Sequence, residues 1–188
     1  MKKLIVVLLI SAFVMASTSV LAAEKSALGL GTLAVKVERI NFTKNEFQDW
    51  NADKEWFAAL EIYGAIARNW YVGAEVGYTK SSGSEQMVDV DVTFVPVEVN
   101  LKYAIQVSPW FVIDLGAGPS YNYGKVKIQG PIRDSKSKWR FGGQAFAGLN
   151  IVFDHFYFGA NGKYQITEKK DGIAFDNWRI GGHLGLKF

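Results

Sequence analysis

The last twelve residues, Asn177 to Phe188, constrain the fold most narrowly because apolar and polar side chains alternate along them. One face carries Trp178, Ile180, Gly182, Leu184, Leu186 and Phe188, and the other carries Arg179, Gly181, His183, Gly185 and Lys187. A period of two indicates a β-strand whose two sides meet different surroundings. The stretch ends on an aromatic side chain. This ending favours a strand whose outer face meets lipid, with its final ring at headgroup level.

The first 23 residues have the composition of an export signal. Lys2 and Lys3 precede an apolar run that only Ser11 interrupts, and small residues follow up to Ala23. This order predicts a cleaved signal peptide over 1–23, with cleavage after Ala22 or Ala23, and a mature domain over 24–188. An N-terminal membrane helix is the less favoured alternative, because the apolar run is shorter than the ~20 residues that a span needs.

Loss of this segment lowers the formal net charge from +3 to +1, so the charge gives no support for a nucleic-acid partner. The chain has no cysteine, which excludes disulfides, thiolate chemistry and a lipid-anchored N-terminal cysteine. The mature part contains no run of 18 apolar residues. Export then leads to the periplasm, the medium or the outer membrane, and only the last destination needs a barrel.

Eight alternating runs predict eight strands, at 28–41, 56–66, 70–79, 88–103, 110–123, 139–153, 156–167 and 177–188. Short turns are predicted at 67–69, 105–109 and 154–155, and longer polar loops at 42–55, 80–87, 124–138 and 168–176. The apolar phase of the fourth run slips near Val95 and Pro96, which predicts a β-bulge. Together the runs predict an all-β fold, an eight-stranded antiparallel up-and-down transmembrane β-barrel.

Residues 95–103 (Val-Pro-Val-Glu-Val-Asn-Leu-Lys-Tyr), residues 116–121 (Gly-Ala-Gly-Pro-Ser-Tyr) and the terminal Phe188 resemble the small outer-membrane β-barrels of Gram-negative bacteria, OmpA/OmpX-like barrel domains among them. The resemblance covers the whole mature chain. It implies a monomer in the cell outer membrane that contacts outer-membrane lipid and lipopolysaccharide. It also implies that the barrel-assembly machinery recognises Phe188.

Alternation alone does not say which face points outward, since a soluble lipocalin-like barrel would place its apolar face inside. Aromatic residues gather at both ends of the runs, as two membrane interfaces would require. Charges lie at mid-strand on the polar face, and a narrow barrel fills its interior with side chains. The sequence therefore predicts a lumen ion-pair network of Glu61, Glu75, Glu98, Lys102, Lys163 and Arg179, with His183 in its hydrogen bonds.

Residues suited to catalysis or metal binding are few. Small outer-membrane barrels include lipid A acylases and deacylases with a histidine, a serine and a carboxylate near the outer lip. His155 is predicted at the opposite end and His183 inside the barrel, so no catalytic residue, metal site or cofactor is expected. Asp89 and Asp91 share a strand face, which suits either a Ca²⁺ contact or, with more support, a polar strand end that faces water or a base.

The segment 124–138 carries Lys125, Lys127, Arg133, Lys136 and Lys138 against Asp134. Such a loop suits contact with lipopolysaccharide phosphates or another anionic surface, although a solvated loop that keeps the surface soluble is the interpretation with more support. The favoured function is a non-enzymatic outer-membrane protein with a filled lumen and a structural or surface-contact role. A narrow channel or transporter for small or hydrophobic solutes is the alternative, and a lipid A-modifying enzyme is the least favoured class.

Overall fold

The computed structural model describes residues 26–43, 54–85, 88–129, 134–170 and 172–188. The predicted signal peptide at 1–23 lies outside the described residues. The strands are β1 Gly31–Phe42, β2 Lys54–Ala67, β3 Trp70–Glu85, β4 Val88–Ser108, β5 Phe111–Gln129, β6 Asp134–Phe153, β7 Phe156–Thr167 and β8 Asn177–Lys187. Within the described ranges, no helix is long and apolar enough to cross a membrane.

Each strand pairs antiparallel with the next, and β1 pairs with β8, so the sheet closes on itself. This up-and-down order confirms the predicted eight-stranded barrel. The connections at Arg68 and Asn69, at Pro109 and Trp110, and at Asp154 and His155 are tight turns at one end of the barrel, called here the short-turn end. Phe188 lies at the same end, where its backbone N–H donates to the carbonyl of Gly31.

Burial alternates along the strands and places the charged face inside. On β1, Lys36 and Glu38 are buried, whereas Val35 and Val37 between and beside them are more than half exposed. The large aromatic residues at the strand ends also face outward. At the short-turn end these include Trp70, Trp110, Phe153, Phe156 and Phe188. At the opposite end, called here the loop end, they include Trp56, Trp139 and Trp178. The outer face is therefore apolar with an aromatic girdle near each end, which excludes the lipocalin-like arrangement.

Two loop predictions are wrong, because strands β3 to β6 run well beyond the other four. The predicted loop at 80–87 is largely the paired end of β3 and start of β4, with Lys80 opposite Thr93. The predicted loop at 124–138 is largely the paired end of β5 and start of β6, with Lys125 opposite Ser137. The wall of the barrel thus rises on one side into a four-stranded sheet, called here the raised sheet. Serine, glycine and lysine made these segments look like loops, although the strand pairing continues through them.

The predicted bulge near Pro96 is also wrong. The register of β4 against β5 is unbroken from Asp89 to Gln106, and it shifts only between Gln106 and Ser108, beside the turn. The apparent slip of phase has another cause. Val90, Val92 and Phe94 point into the lumen, whereas Val97, Val99 and Leu101 point outward, so the strand has one continuous phase. What changes along β4 is the lining of the lumen, from apolar near the loop end to charged in the middle.

Candidate functional site

The lumen is built as three layers along the barrel axis. The layer at the short-turn end is mainly apolar and contains Ala27, Leu28, Ala34, Tyr63, Ala65, Tyr71, Ala104, Val112, Val152 and Tyr157. The buried side chains of Asp114 and Asn150 lie beside them. Leu28 was predicted to begin the first strand, but it precedes β1 and is fully buried. Its backbone N–H donates to the Tyr71 hydroxyl at 3.0 Å, and that hydroxyl donates to the Gly29 carbonyl at 3.0 Å. Residues 26–30 thereby close this end of the barrel.

The middle layer is charged, and three of its acids face two of its bases across the lumen. Glu61, Glu75 and Glu98 occupy directly opposed positions on β2, β3 and β4, a row of like charges that would repel without partners. Lys163 and Arg179 are directly opposed on β7 and β8. The ion pairs between the two groups therefore cross the lumen and join walls that share no strand pairing.

Glu75 is the centre of this layer. Its Oε1 lies 2.7 Å from Nζ of Lys163 and 3.5 Å from Nη1 of Arg179, and its Oε2 lies 3.0 Å from Nζ of Lys36. Glu98 adds contacts of 2.5 Å to both Lys163 and Arg179. All five side chains are buried, so each charge depends on these partners for its stability in the interior.

Lys102 and Glu61 form the part of the middle layer that borders the layer at the short-turn end. Nζ of Lys102 is 3.8 Å from Glu61 Oε1 and 3.7 Å from the centroid of the Tyr63 ring. Lys36 approaches the other Glu61 oxygen at 3.4 Å. All six charged residues predicted for the network are thus connected, directly or through Lys36.

Sequence reasoning missed two members of the layer, Lys36 and Glu38 on β1. Nζ of Lys36 contacts three carboxylates, and Glu38 accepts a hydrogen bond from the Asn161 amide. The signal was present, since both share the inward phase of β1 with Ala34 and Ile40. With them, the buried layer has four carboxylates and four bases and is formally neutral.

His183 belongs to the same interior but makes no ion pair among the described residues. Its Nε2 lies 2.7 Å from the Asn150 amide oxygen and its Nδ1 lies 3.4 Å from that of Asn161. Asn150 in turn donates to Asp114 at 2.9 Å. His155 is exposed in its turn beside the Asp154 carboxylate, 2.7 Å away. No hydrogen bond among the described residues joins either histidine to a serine.

The third layer is apolar again and closes the loop end. It contains Ile40, Phe42, Phe57, Ala59, Val90, Val92, Phe94, Val126 and Phe175. Phe175 comes from the connection between β7 and β8 and stacks on Phe94, with ring centroids 5.4 Å apart. Asp176 holds this connection in place, because its carboxylate accepts the backbone N–H of Thr167 at 2.7 Å. The connection therefore acts as an inserted cover over the charged layer.

Inward glycines make room for the large rings of these layers. A Cβ added to Gly77 on β3 would lie 1.9 Å from Cζ of Phe57 on β2. Glycine is thus required where a neighbouring ring crosses the narrow lumen.

The described basic residues of segment 124–138 lie on both faces of the raised sheet, since Lys138 shares the inward phase of Arg140 on β6. Lys125 and Lys127 point outward from β5, and Lys138 is exposed on β6. Arg133 lies outside the described residues, and so does the side chain of Lys136. The described lysines thus stand on paired strands, at fixed spacings, instead of on a loop.

Asp91 has a base as its neighbour, as one of the two sequence interpretations held. Its carboxylate accepts a hydrogen bond from the Ser82 hydroxyl at 2.7 Å and lies 3.5 Å from Nζ of Lys80. The Ser82 hydrogen bond, supported by Lys80, holds the pKa of Asp91 below its usual value. The Asp89 side chain lies outside the described residues. Within the described parts of the chain, no group of three or more His, Cys, Asp or Glu side chains is placed to hold a metal ion.

Comparison with known proteins agrees with this geometry. The family description "Outer membrane protein beta-barrel domain" matches residues 5–188. The chain belongs to this family. Membership confirms the predicted outer-membrane localisation. In such barrels the short turns face the periplasm, so the raised sheet stands on the extracellular side.

Solved structures show the same fold at low sequence identity. Neisserial surface protein A matches with a TM-score of 0.63 and 14% identity, over 84% of this chain and 97% of that one. OprG from Pseudomonas aeruginosa matches with 0.54 and 14%, over 84% and 96%. Ail, the attachment invasion locus protein of Yersinia pestis, solved with the heparin analogue sucrose octasulfate, matches with 0.53 and 15%, over 82% and 97%. No curated protein sequence matches the chain.

Proposed function

We propose that this protein is a non-conducting, non-enzymatic outer-membrane barrel that acts through its extracellular surface. One observation carries the proposal: a neutral layer of eight buried, paired charges lies between two apolar layers. An ion or polar solute on the barrel axis would have to part both apolar layers. It would also have to break cross-lumen ion pairs, whose separation leaves buried charges without partners.

The channel alternative requires a continuous polar path, and the two ends of the lumen argue against one. Leu28, Tyr63, Tyr71 and Phe175 are fully or almost fully buried across these ends. The β-bulge predicted near Pro96, which would have interrupted the wall of the barrel, is absent from β4. A sealed lumen leaves the outer surface as the place where function resides.

The lipid A-modifying alternative needs a histidine near the outer lip with a serine and a carboxylate. His183 lies in the lumen on the periplasmic side of Arg179, bonded to two asparagine side chains. His155 lies in a turn at the periplasmic end. Neither described histidine is placed to reach a lipid headgroup in the outer leaflet.

The surface-contact part of the proposal rests on the raised sheet. Its four strands extend beyond the other strands and present lysines outward on paired positions. Two of the compared proteins carry names that refer to a surface protein and to attachment, which accords with this role.

Conductance of the refolded mature protein in a planar lipid bilayer tests the sealed lumen. Folding is checked first by the shift in gel mobility between heated and unheated samples. We expect no reproducible current steps from the folded protein. Stable steps of uniform size would show an open path and replace this proposal with a channel.

A further inference from the structure

The outer face of the raised sheet changes abruptly from aromatic to basic. Tyr123 and Trp139 are opposed on β5 and β6 and belong to the extracellular girdle. One outward position further along the four strands lie Lys80, Thr93, Lys125 and Ser137, each opposite the next. We call these four residues the lysine row.

The spacing places the lysine row at the level of lipid headgroups. Two residues along a strand advance by about 7 Å, so the row stands that far beyond the Tyr123 and Trp139 rings. Such rings mark the membrane interface. Neighbouring strands are about 4.8 Å apart, so the Cα atoms of Lys80 and Lys125, two strands apart, lie about 10 Å from each other. The lysine row therefore forms a short positively charged strip on the extracellular side of the apolar band.

Among the side chains that the structure describes, the positive charge on this face is only partly compensated. The carboxylate of Asp91 lies 3.5 Å from Nζ of Lys80 and also accepts a hydrogen bond from the Ser82 hydroxyl. Lys127 is directly opposite Asp91 on β5. The described charged side chains here are thus three lysines and one aspartate. The side chain of Lys80 remains about half exposed, at 49%.

We propose that the lysine row binds phosphate groups of lipopolysaccharide in the outer leaflet. Lysine ammonium groups bind phosphate as point charges, and the Thr93 and Ser137 hydroxyls add donors between and beside them. The rings of Tyr121 and Trp139 stack below the row with centroids 4.7 Å apart, which gives the apolar part of the same molecule a flat surface. A soluble anion could bind at the distal tip of the raised sheet as readily as at the lysine row, so it would not favour this position. A lipid phosphate, in contrast, is held by the membrane at the level of the lysine row.

This inference rests on the proposed role of the raised sheet as a contact surface, but the two fail separately. Current steps in a bilayer would overturn the sealed lumen and leave the lysine row untouched. Loss of the row's binding would leave the sealed lumen intact. Binding is therefore measured with the full mature protein, folded in detergent, and is independent of conductance.

The test compares the double variant Lys80→Ala/Lys125→Ala with the unchanged protein and with Lys138→Ala/Lys169→Ala. The control pair removes the same charge from exposed extracellular positions outside the row. The probes are purified lipopolysaccharide, the same material after enzymatic dephosphorylation, and a soluble sulfated polysaccharide. The shift in gel mobility on heating verifies that each variant is folded.

We expect the row variant to bind intact lipopolysaccharide about tenfold more weakly than the unchanged protein, with no such loss for the control pair. The difference should disappear with the dephosphorylated probe. Equal affinity of the row and control variants for intact lipopolysaccharide would overturn the proposal. So would a loss that appears only with the soluble polysaccharide, since that result would assign the lysines to a soluble polyanion.

Discussion

At the scale of single residues, Glu75 shows how one side chain can determine the stability of a narrow barrel. It contacts Lys36, Lys163 and Arg179, which come from three other strands. All four side chains are buried, so water cannot replace a lost partner. Removal of one member of a buried ion pair usually costs much more than the intact pair contributes, because the remaining charge stays desolvated.

We expect Glu75→Gln to lower the free energy of unfolding by about 3 kcal/mol, since three bases lose their shared carboxylate charge. The measurement is the urea midpoint of the protein refolded into vesicles. The matched control is Glu168→Gln, which removes a carboxylate from an exposed pair with Lys170 and should leave the midpoint unchanged. Equal midpoints for the two variants would contradict the central position of Glu75.

Gly77 provides a second residue-scale prediction. Gly77→Ala should lose about 2 kcal/mol of stability, because its Cβ would lie 1.9 Å from Cζ of Phe57. Gly162→Ala is the control, since a Cβ there meets nothing within 4 Å. The stability of both variants is measured by the urea midpoint of unfolding. In a Phe57→Ala background the penalty at Gly77 should shrink, and a penalty that persists unchanged would show that the ring is not its cause.

At the scale of elements, the sequence was informative where each face of a strand has one character throughout. The alternation of β7 and β8 predicted their bounds to within a residue, because lipid lies on one side of each strand and polar side chains on the other. β4 was harder, since its lumen face is apolar at Val92 and charged at Glu98. A single period of apolar residues cannot be followed across that change, and in the sequence alone the change has the same pattern as a bulge.

The raised sheet was missed for a related reason. Beyond the membrane, a strand no longer needs an apolar outer face, so residues such as Lys125 and Ser137 carry a loop-like composition while their backbones pair. The ion-pair network was found because charges at mid-strand have no other place in a narrow barrel. Lys36 and Glu38 carried the same signal on β1. Leu28 could not be placed, because nothing in its local pattern distinguishes a strand start from an inserted plug.

The connection between β7 and β8 is an element whose role can be tested. Phe175→Ala should loosen it, because the ring is fully buried against Phe94 and under Arg140. We expect trypsin to cleave the folded protein after Lys169 or Lys170 several times faster in this variant. Phe153→Ala removes an exposed ring at the opposite end and serves as the control. An unchanged cleavage rate for Phe175→Ala would show that the ring does not hold the connection.

At the scale of the whole molecule, the barrel is a closed wall around an interior lined by buried side chains. Two apolar layers insulate a neutral set of paired charges, and the pairs join walls on opposite sides of the lumen. This arrangement explains how a chain of this composition can place so many charges within a membrane. The strands of the wall separate each charge from lipid, and the end layers separate it from water. Each charge also has a partner of opposite sign, which offsets the cost of its burial.

Thiol labelling of the folded barrel tests the closed interior most directly, because the chain has no cysteine of its own. Ser120→Cys places a nearly isosteric thiol in the middle of the lumen, and Ser137→Cys places one on the exposed outer face. With a small, charged, water-soluble reagent, we expect Ser137→Cys to react at once and Ser120→Cys to stay unmodified until the protein is unfolded. Comparable rates at the two positions in the folded protein would show water on the barrel axis and contradict a sealed lumen.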